Sequence, residues 1–296
     1  MSNSPAIEER FPAPSVMGVI NVTPDSFSDG GVHLRVEPAV TEAWAMLDQG
    51  AAIVDGGGES TRPGSAGVSA EEELARIEPV LADLSGAAVS VDTSKAAVAR
   101  RALELGVELV NDVTALRADP ELAGLVAERG LECCLMHMLG EPPTMQQDPR
   151  YDDVVSDVKA FLEDRLAFAV AHGIDEHRVC LDPGIGFGKT VEHNFELVRR
   201  LDELVSIGRP LLIGFSRKSS LGKIMGDPRA TTGTAAASVG AAVAAFDRGA
   251  TIFRVHDVRE HVEALTAARA VVGVGSTEPT RERRRRLGRR RERETW

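Results

Sequence analysis

The sequence predicts an α/β chain closed into a (β/α)8 barrel, and three observations carry that prediction. Eight short apolar runs recur along the 296 residues, each run ends in a polar residue, and stretches with helical spacing separate them. Runs this short and this rich in Val, Ile and Leu suit parallel strands buried on both faces. Eight strand–helix units with no sign of a second domain favour a closed ring over a doubly wound open sheet.

The elements follow in order. Residues 16–20 form the first run and stop at Asn21; a helix over 39–49 ends at Gly50. Residues 51–54 end at Asp55, and a helix over 70–84 follows, with Ser69 and Glu72 spaced as a capping box. Residues 88–91 meet Asp92, ahead of a helix over 95–105 and Gly106. Residues 108–110 meet Asn111 and Asp112, ahead of 120–129 and Gly130. Residues 133–136 lead to His137, and the longest helix, 152–171, closes at Gly173. Residues 179–181 lead to Asp182, ahead of a helix over 192–205. Residues 211–215 run into Ser216-Arg217-Lys218, ahead of 231–248 and Gly249. Residues 251–253 meet Arg254 and His256, and a last helix spans 258–271.

Barrel enzymes carry their chemistry at the C-terminal ends of the strands. Here those ends hold Asn21, Asp55, Asp92, Asn111, His137, Asp182, Lys218, Arg254 and His256. Asp55 and Asp112 fit a structural role as well as a functional one, but the nine side chains together describe a site. The barrel is expected over residues 15–275 as one catalytic domain, preceded by a flexible N-terminus, 1–14, and followed by a disordered tail, 276–296.

Charge is unevenly placed. The net charge is −11, yet residues 279–296 hold nine Arg and three Glu, so the body carries −17 and the tail +6. An acidic body argues against broad nucleic-acid binding, leaving only weak binding by the Arg-rich tail. Cys133, Cys134 and Cys180 show no disulfide spacing and read as small buried hydrophobes. No secretory signal or membrane-spanning run is present, which points to the cytoplasm.

The stretch Asp182-Pro183-Gly184-Ile185-Gly186-Phe187-Gly188-Lys189-Thr190 imitates a phosphate-binding loop. A P-loop needs Gly where Pro183 stands, and the dinucleotide pattern needs Gly where Lys189 stands, so neither motif holds. The glycines instead suit close approach of backbone and Phe187 to a flat ligand.

The site mixes acids and amides (Asp92, Asn111, Asp182) with bases (Arg62, Lys218, Arg254, His256). A desolvated carboxylate pairs well with an amidine-like edge of N–H donors, as in a pterin or guanine. The bases suit phosphate or pyrophosphate. A heterocycle carrying a phosphate leaving group satisfies both halves. There is no H-x-H and no H-E-x-x-H, which argues against a zinc hydrolase. Asn21, with water and phosphate oxygens, suits Mg²⁺, which needs few protein ligands.

Eight motifs in order then resemble the dihydropteroate synthase family of pterin-binding TIM barrels over residues 16–273. They are MGVINVTPDSFSDGG (17–31), GGESTRPG (57–64), VSVDTSK (89–95), ND (111–112), LMHMLGEPPTMQ (135–146), LDPGIGFGK (181–189), GFSRKS (214–219) and RVHDV (254–258). The resemblance implies condensation of 6-hydroxymethyl-7,8-dihydropterin diphosphate with 4-aminobenzoate, by an SN1-like route, to 7,8-dihydropteroate and pyrophosphate. It implies that Asp92, Asn111, Asp182 and Lys218 hold the pterin, that Arg254 stacks on it and that His256 binds the diphosphate. Asn21 would approach Mg²⁺. Phe27 belongs to a first mobile loop, and Thr61, Arg62 and Pro63 to a second. Phe187 and Ser219 would line the aminobenzoate pocket, which sulfonamides occupy in this family. It further implies a homodimer, and it makes NVTPDSFSDGG a lid with a hinge at Gly30-Gly31. Two departures, Gly56 for a branched residue and Phe215 for Met, predict a looser second strand end and altered fine geometry. The alternatives are a pterin-binding methyltransferase-like domain and a catalytically silent pterin-binding paralogue.

Overall fold

The computed structural model describes residues 6–22 and 33–272. Its strands are β1 (Ser15–Asn21), β2 (Ile53–Gly57), β3 (Val89–Asp92), β4 (Leu109–Asp112), β5 (Glu132–Met136), β6 (Val179–Asp182), β7 (Leu212–Ile213) and β8 (Ile252–Val255). All pair in parallel in the order β6-β5-β4-β3-β2-β1-β8-β7. The two ends of that series meet through a parallel bridge between Leu181 and Leu211, reinforced by the Leu181 N–H donating to the Pro210 carbonyl at 2.9 Å. The predicted ring is closed.

Helices α1 (Ile7–Arg10), α2 (His33–Asp48), α3 (Ala70–Asp83), α4 (Ala96–Glu104), α5 (Pro120–Arg129) and α6 (Val154–Ala171) precede β6. After it come α7 (Val191–Arg199), α8 (Leu201–Val205), α9 (Ser219–Ile224), α10 (Ala235–Asp247) and α11 (Val258–Val272). The side chains of the strands alternate between two cores. One set, with Val16, Val54, Val91, Val110 and Cys133, packs against the helices. The other fills the ring itself: Met17, Ile53, Leu109, Cys134, Cys180, Leu212 and Ile252. The three cysteines are free and buried, as hydrophobes of their size should be, and burial raises the Cys133 thiol above its usual range.

The expectation of a flexible segment up to residue 14 needs correction from residue 6 onward. Helix α1 seats Ile7 and Phe11 in the inner core, where they plug the end at which the strands begin. Glu8 pairs with Arg209 at 2.7 Å and Arg10 with Glu132 at 3.0 Å, fixing the plug to the barrel rim. Two apolar residues four apart are too short a pattern to stand out in the sequence. Residues 1–5, residues 23–32, which hold most of the expected 21–31 lid with Phe27 and Gly30-Gly31, and the basic tail lie outside the described residues.

Three other differences have local causes. The helix expected over 192–205 breaks at Arg200, whose guanidinium turns to Asp153 and Glu203. Helix α9 begins directly after Lys218, inside what reads as loop. Gly56 does not loosen β2, whose residues pair through Gly57 with Asn21. Ile77 Cδ1 lies 3.2 Å from where a Cβ on Gly56 would stand, so α3 fills the space that a branched side chain would take.

Phe11→Ala should cost about 3 kcal/mol, the usual result of truncating a buried aromatic. Chemical denaturation checks this, and a loss below about 1 kcal/mol would show that the plug is dispensable.

Candidate active site

The C-terminal rim is organised around one guanidinium. Arg254 on β8 donates from Nε to Asp55 Oδ2 at 2.7 Å and from Nη2 to Asp92 Oδ2 at 2.9 Å. Asp55, fully buried on β2, also accepts from Ser90 Oγ at 2.6 Å and from Asn111 Nδ2 at 3.0 Å. Four strands are thus tied through Asp55. The Asn111 side-chain oxygen is left for a ligand.

Above this floor a narrow concavity is lined by Thr61, Asp92, Asn111, Val113, Met136, Asp182, Ile185, Phe187, Gly214, Lys218 and Arg254. Lys218 Nζ sits 4.4 Å from the centre of the Phe187 ring. A wider hollow, around Arg10, Glu108 and Glu132, opens at the opposite end of the barrel, away from these groups.

Burial works against every charge here. It pushes the Asp182 carboxyl up to about 6, partly offset by the Gly184 N–H and by Lys218 and Arg254. Burial also raises Asp92, to about 7, with Arg254 opposing and Asp55 reinforcing. Lys218 is brought down to about 8 by burial and then by Arg254. Burial opposes the Arg254 charge too, but Asp55 and Asp92 beside it leave it firmly cationic. The pocket therefore holds acids that ionise late and an amine that deprotonates early, ready for a ligand that supplies the missing partners.

The loop after β6 is shaped by two contacts that only glycine permits. A Cβ on Gly184 would stand 1.9 Å from the His137 carbonyl oxygen, and one on Gly188 would stand 2.3 Å from that of Leu139. Both glycines have φ near +60°, at 69° and 63°, so a larger residue would also be strained. Lys189, buried beneath, donates to His137 Nδ1 at 2.8 Å and to the Phe187 carbonyl at 3.1 Å. Its amine is brought down to about 7, mainly by burial. Asn194 accepts from the Gly186 N–H at 2.7 Å, and the Tyr151 hydroxyl donates to the Gly188 carbonyl at 2.8 Å.

His137 is therefore not a member of the mouth. Its ring lies against Phe161, with centroids 4.8 Å apart, and its nitrogen serves Lys189. Asp112 is structural too, accepting from the Thr114 and Leu116 N–H groups at 2.8 and 2.7 Å. Lys189, Asn194 and Tyr151 were missed, although the lysine directly after a glycine-rich loop was a signal that the rejected P-loop reading set aside.

The remaining predicted residues sit around the rim. Asn21 ends β1, half-buried. Thr61 lines the cavity, while Arg62 and Pro63 are exposed at the tip of the loop after β2. Ser219 opens α9 beside Lys218 and is not among the cavity's lining residues. His256 follows β8, and its N–H donates to Ser216 Oγ at 3.1 Å. The Ser216 hydroxyl lies 3.2 Å from His256 Nδ1; donating there, it places the ring proton on Nε2. Burial, then Arg254, lowers this imidazole to about 4.

Asp55→Ala should cost about 3 kcal/mol or more, because it breaks an ion pair with a buried carboxylate and leaves the buried Ser90 and Asn111 donors without their acceptor. Equilibrium unfolding tests this, and a loss under about 1 kcal/mol would mean that Asp92 alone suffices to hold the guanidinium.

Residues 17–256 match the family of pterin binding enzymes. The chain is 46% identical over 264 residues to the dihydropteroate synthase of Escherichia coli (strain K12), covering 88% of this chain and 92% of that one. It is 46% identical over 269 residues to the dihydropteroate synthase of Mycobacterium leprae, covering 88% and 94%. Among solved structures, the Yersinia pestis dihydropteroate synthase with a sulfonamide drug aligns with a TM-score of 0.81 at 45% identity, over 88% of this chain and 95% of that one. The Xanthomonas albilineans dihydropteroate synthase with 4-aminobenzoic acid gives the same TM-score, 0.81, at 45% identity over 89% and 95%.

Proposed function

From the premise that the chain belongs to the dihydropteroate synthases, within the pterin-binding enzyme family, we infer that it condenses 6-hydroxymethyl-7,8-dihydropterin diphosphate with 4-aminobenzoate. The products are 7,8-dihydropteroate and pyrophosphate, a transferase step of folate biosynthesis. The observation that carries this reading to the residues is the cavity that faces Asp182 and Asn111 with Lys218 and Arg254.

The geometry supports the residue roles that the resemblance implies. Asp182 Oδ1 accepts the Gly184 N–H at 2.7 Å, leaving Oδ2 to accept from the N–H edge of the pterin beside the Asn111 oxygen. Lys218 donates to ring acceptors from the other side. Asp55 and Asp92 fix the Arg254 guanidinium, and its face then stacks on the ring. Electron donation from the dihydropterin loosens the bond between its exocyclic CH₂ and the diphosphate oxygen. The electron pair leaves with pyrophosphate, whose charge Arg62 and the His256 Nε2 proton meet. The aryl amine forms the new C–N bond and releases its proton, so no strong base is required. Phe187, Pro63 and Ser219 would shape the aminobenzoate pocket, and closing loops would keep water from the cation.

Asn21 offers one neutral oxygen at the end of β1, and among the described residues no group of three or more His, Cys, Asp or Glu could hold a metal. That donor set fits Mg²⁺, which keeps waters and takes phosphate oxygens. When bound, magnesium would neutralise charge on the diphosphate.

The reading extends to a homodimer. Helix α10 is built almost wholly of Ala, Val, Gly and Phe, yet Ala236 and Gly240 on it are exposed. No helix among the described residues is long and apolar enough to cross a membrane, and a cytoplasmic placement accords with the folate pathway.

Pyrophosphate release should depend on 4-aminobenzoate and yield dihydropteroate; tight pterin binding without turnover would overturn the reading. Asp182→Asn and Lys218→Ala should each lower kcat/KM by about a hundredfold or more. Asp182→Asn should leave the ligand-free fold as stable as wild type or more so, because it removes a carboxylate that resists ionising.

The kcat/KM profile should be bell-shaped. The acid limb lies near pH 6, where the Asp182 carboxylate gains a proton, and the basic limb near pH 8, where Lys218 loses one. A flat profile between pH 5 and pH 9 would remove both groups from pterin binding.

A further inference from the structure

The loop after β2, residues 58–68, carries Thr61 and Arg62, and its footing is built from charges that the proposed chemistry does not use. Glu73 on α3 is fully buried. A carboxylate in that position needs a cation, and Lys95, at the start of α4, donates to Glu73 Oε2 at 2.6 Å. The same ammonium donates to Glu59 Oε2 at 2.6 Å. Burial opposes the Lys95 charge, but Glu59 and Glu73 together leave it raised.

The other Glu59 oxygen, Oε1, accepts the Val68 N–H at 3.0 Å. One carboxylate therefore grips both ends of the loop. Gly67 lies so close that a Cβ there would stand 3.1 Å from Glu59 Oε1. Arg76 on α3 donates to the Gly58 carbonyl at 2.8 Å, and the Ser60 and Ser65 hydroxyls meet at 2.8 Å across the loop. By contrast the tip, Arg62-Pro63-Gly64, is exposed, with the Gly64 N–H reaching the Pro142 carbonyl at 2.9 Å.

We propose that Glu59 and Lys95 are positioning residues for catalysis: Glu59 clasps the two ends of the 58–68 loop, and Lys95 ties that clasp to the buried Glu73. The chain of causes runs outward. Burying Glu73 fixes Lys95, a spare N–H of Lys95 fixes Glu59, and the second oxygen of Glu59 fixes the loop closure. The stem is set before substrate arrives, while the exposed tip, held by the Gly64–Pro142 hydrogen bond, carries Arg62 for the diphosphate. An ordinary surface ion pair would be worth little, but this one is anchored by a carboxylate that has no access to water. The inference rests on the proposed reaction for its catalytic part.

The test uses Glu59→Ala, with Glu59→Gln as the conservative variant. In ligand-free Glu59→Ala, amide hydrogen exchange over residues 60–68 should quicken by about tenfold. Its kcat/KM for 4-aminobenzoate should fall by about tenfold, because misplaced contact groups lose reaction geometry. The Kd for 6-hydroxymethylpterin should stay within about threefold of wild type, since Asp182, Asn111 and Lys218 hold that ring without the loop. Glu59→Gln keeps an acceptor for the Val68 N–H and should restore slow exchange at that amide. Lys95→Met strands Glu73, so it is made together with Glu73→Gln, and that pair should reproduce the faster exchange. Unchanged exchange at 60–68 in Glu59→Ala, or equal losses in pterin binding and turnover, would overturn the proposal. Exchange is read without substrate, so an inactive wild-type chain would refute the proposed reaction and leave the loop result standing.

Discussion

The rim of this barrel depends on the Arg254 guanidinium held between Asp55 and Asp92. Asp55 could not lie fully buried on β2 without that cation, and Asn111 and Ser90 would lose the acceptor that orients them. The same fork holds Asp92 on β3 in place. The proposed pterin contacts of Asn111 on β4 and Arg254 on β8 thus trace to one planar ion. Arginine suits this position because its donors are fixed in a plane and point two ways at once, which a lysine ammonium cannot reproduce.

The strand-end rule makes most of this site legible in the sequence. Asp92, Asn111, Asp182 and Arg254 each stand where an apolar run stops, Lys218 stands three residues past one, and a closed ring must bring such positions together. The same rule misled at His137. A residue at a strand end points inward or outward according to the pleat, and its neighbour Met136 takes the cavity instead. Lys189 shows in the sequence only as a lysine after a glycine-rich loop; its main partner, the His137 ring nitrogen, lies 52 residues away, and no spacing encodes it. The helix at residues 7–10 escaped because one turn carries no period to read.

Preparing the site has a cost in the ligand-free protein. A carboxyl that ionises near pH 6 rather than near its ordinary 3.8 gives the unfolded chain an advantage once pH passes the lower value. For Asp182 that disadvantage is complete above the higher value and amounts to roughly 3 kcal/mol. Lys218 and Lys189 add to it in the opposite sense of charge, since burial resists their protonated forms. The deep apolar core and the plug at the far end of the barrel supply the stability against which this cost is set.

The closing seam between β6 and β7 has a consequence for how substrate and scaffold are linked. β7 is two residues long, and its junction with β6 rests on the Leu181–Leu211 bridge and the Leu181–Pro210 hydrogen bond. Asp182 stands on one side of that junction and Lys218 on the other. A pterin bonded to both, as proposed, would span the ring at its thinnest join and brace it across the seam. Binding would then stabilise scaffold as well as substrate: the ring closes without a ligand, and an occupied site would add to its resistance to unfolding.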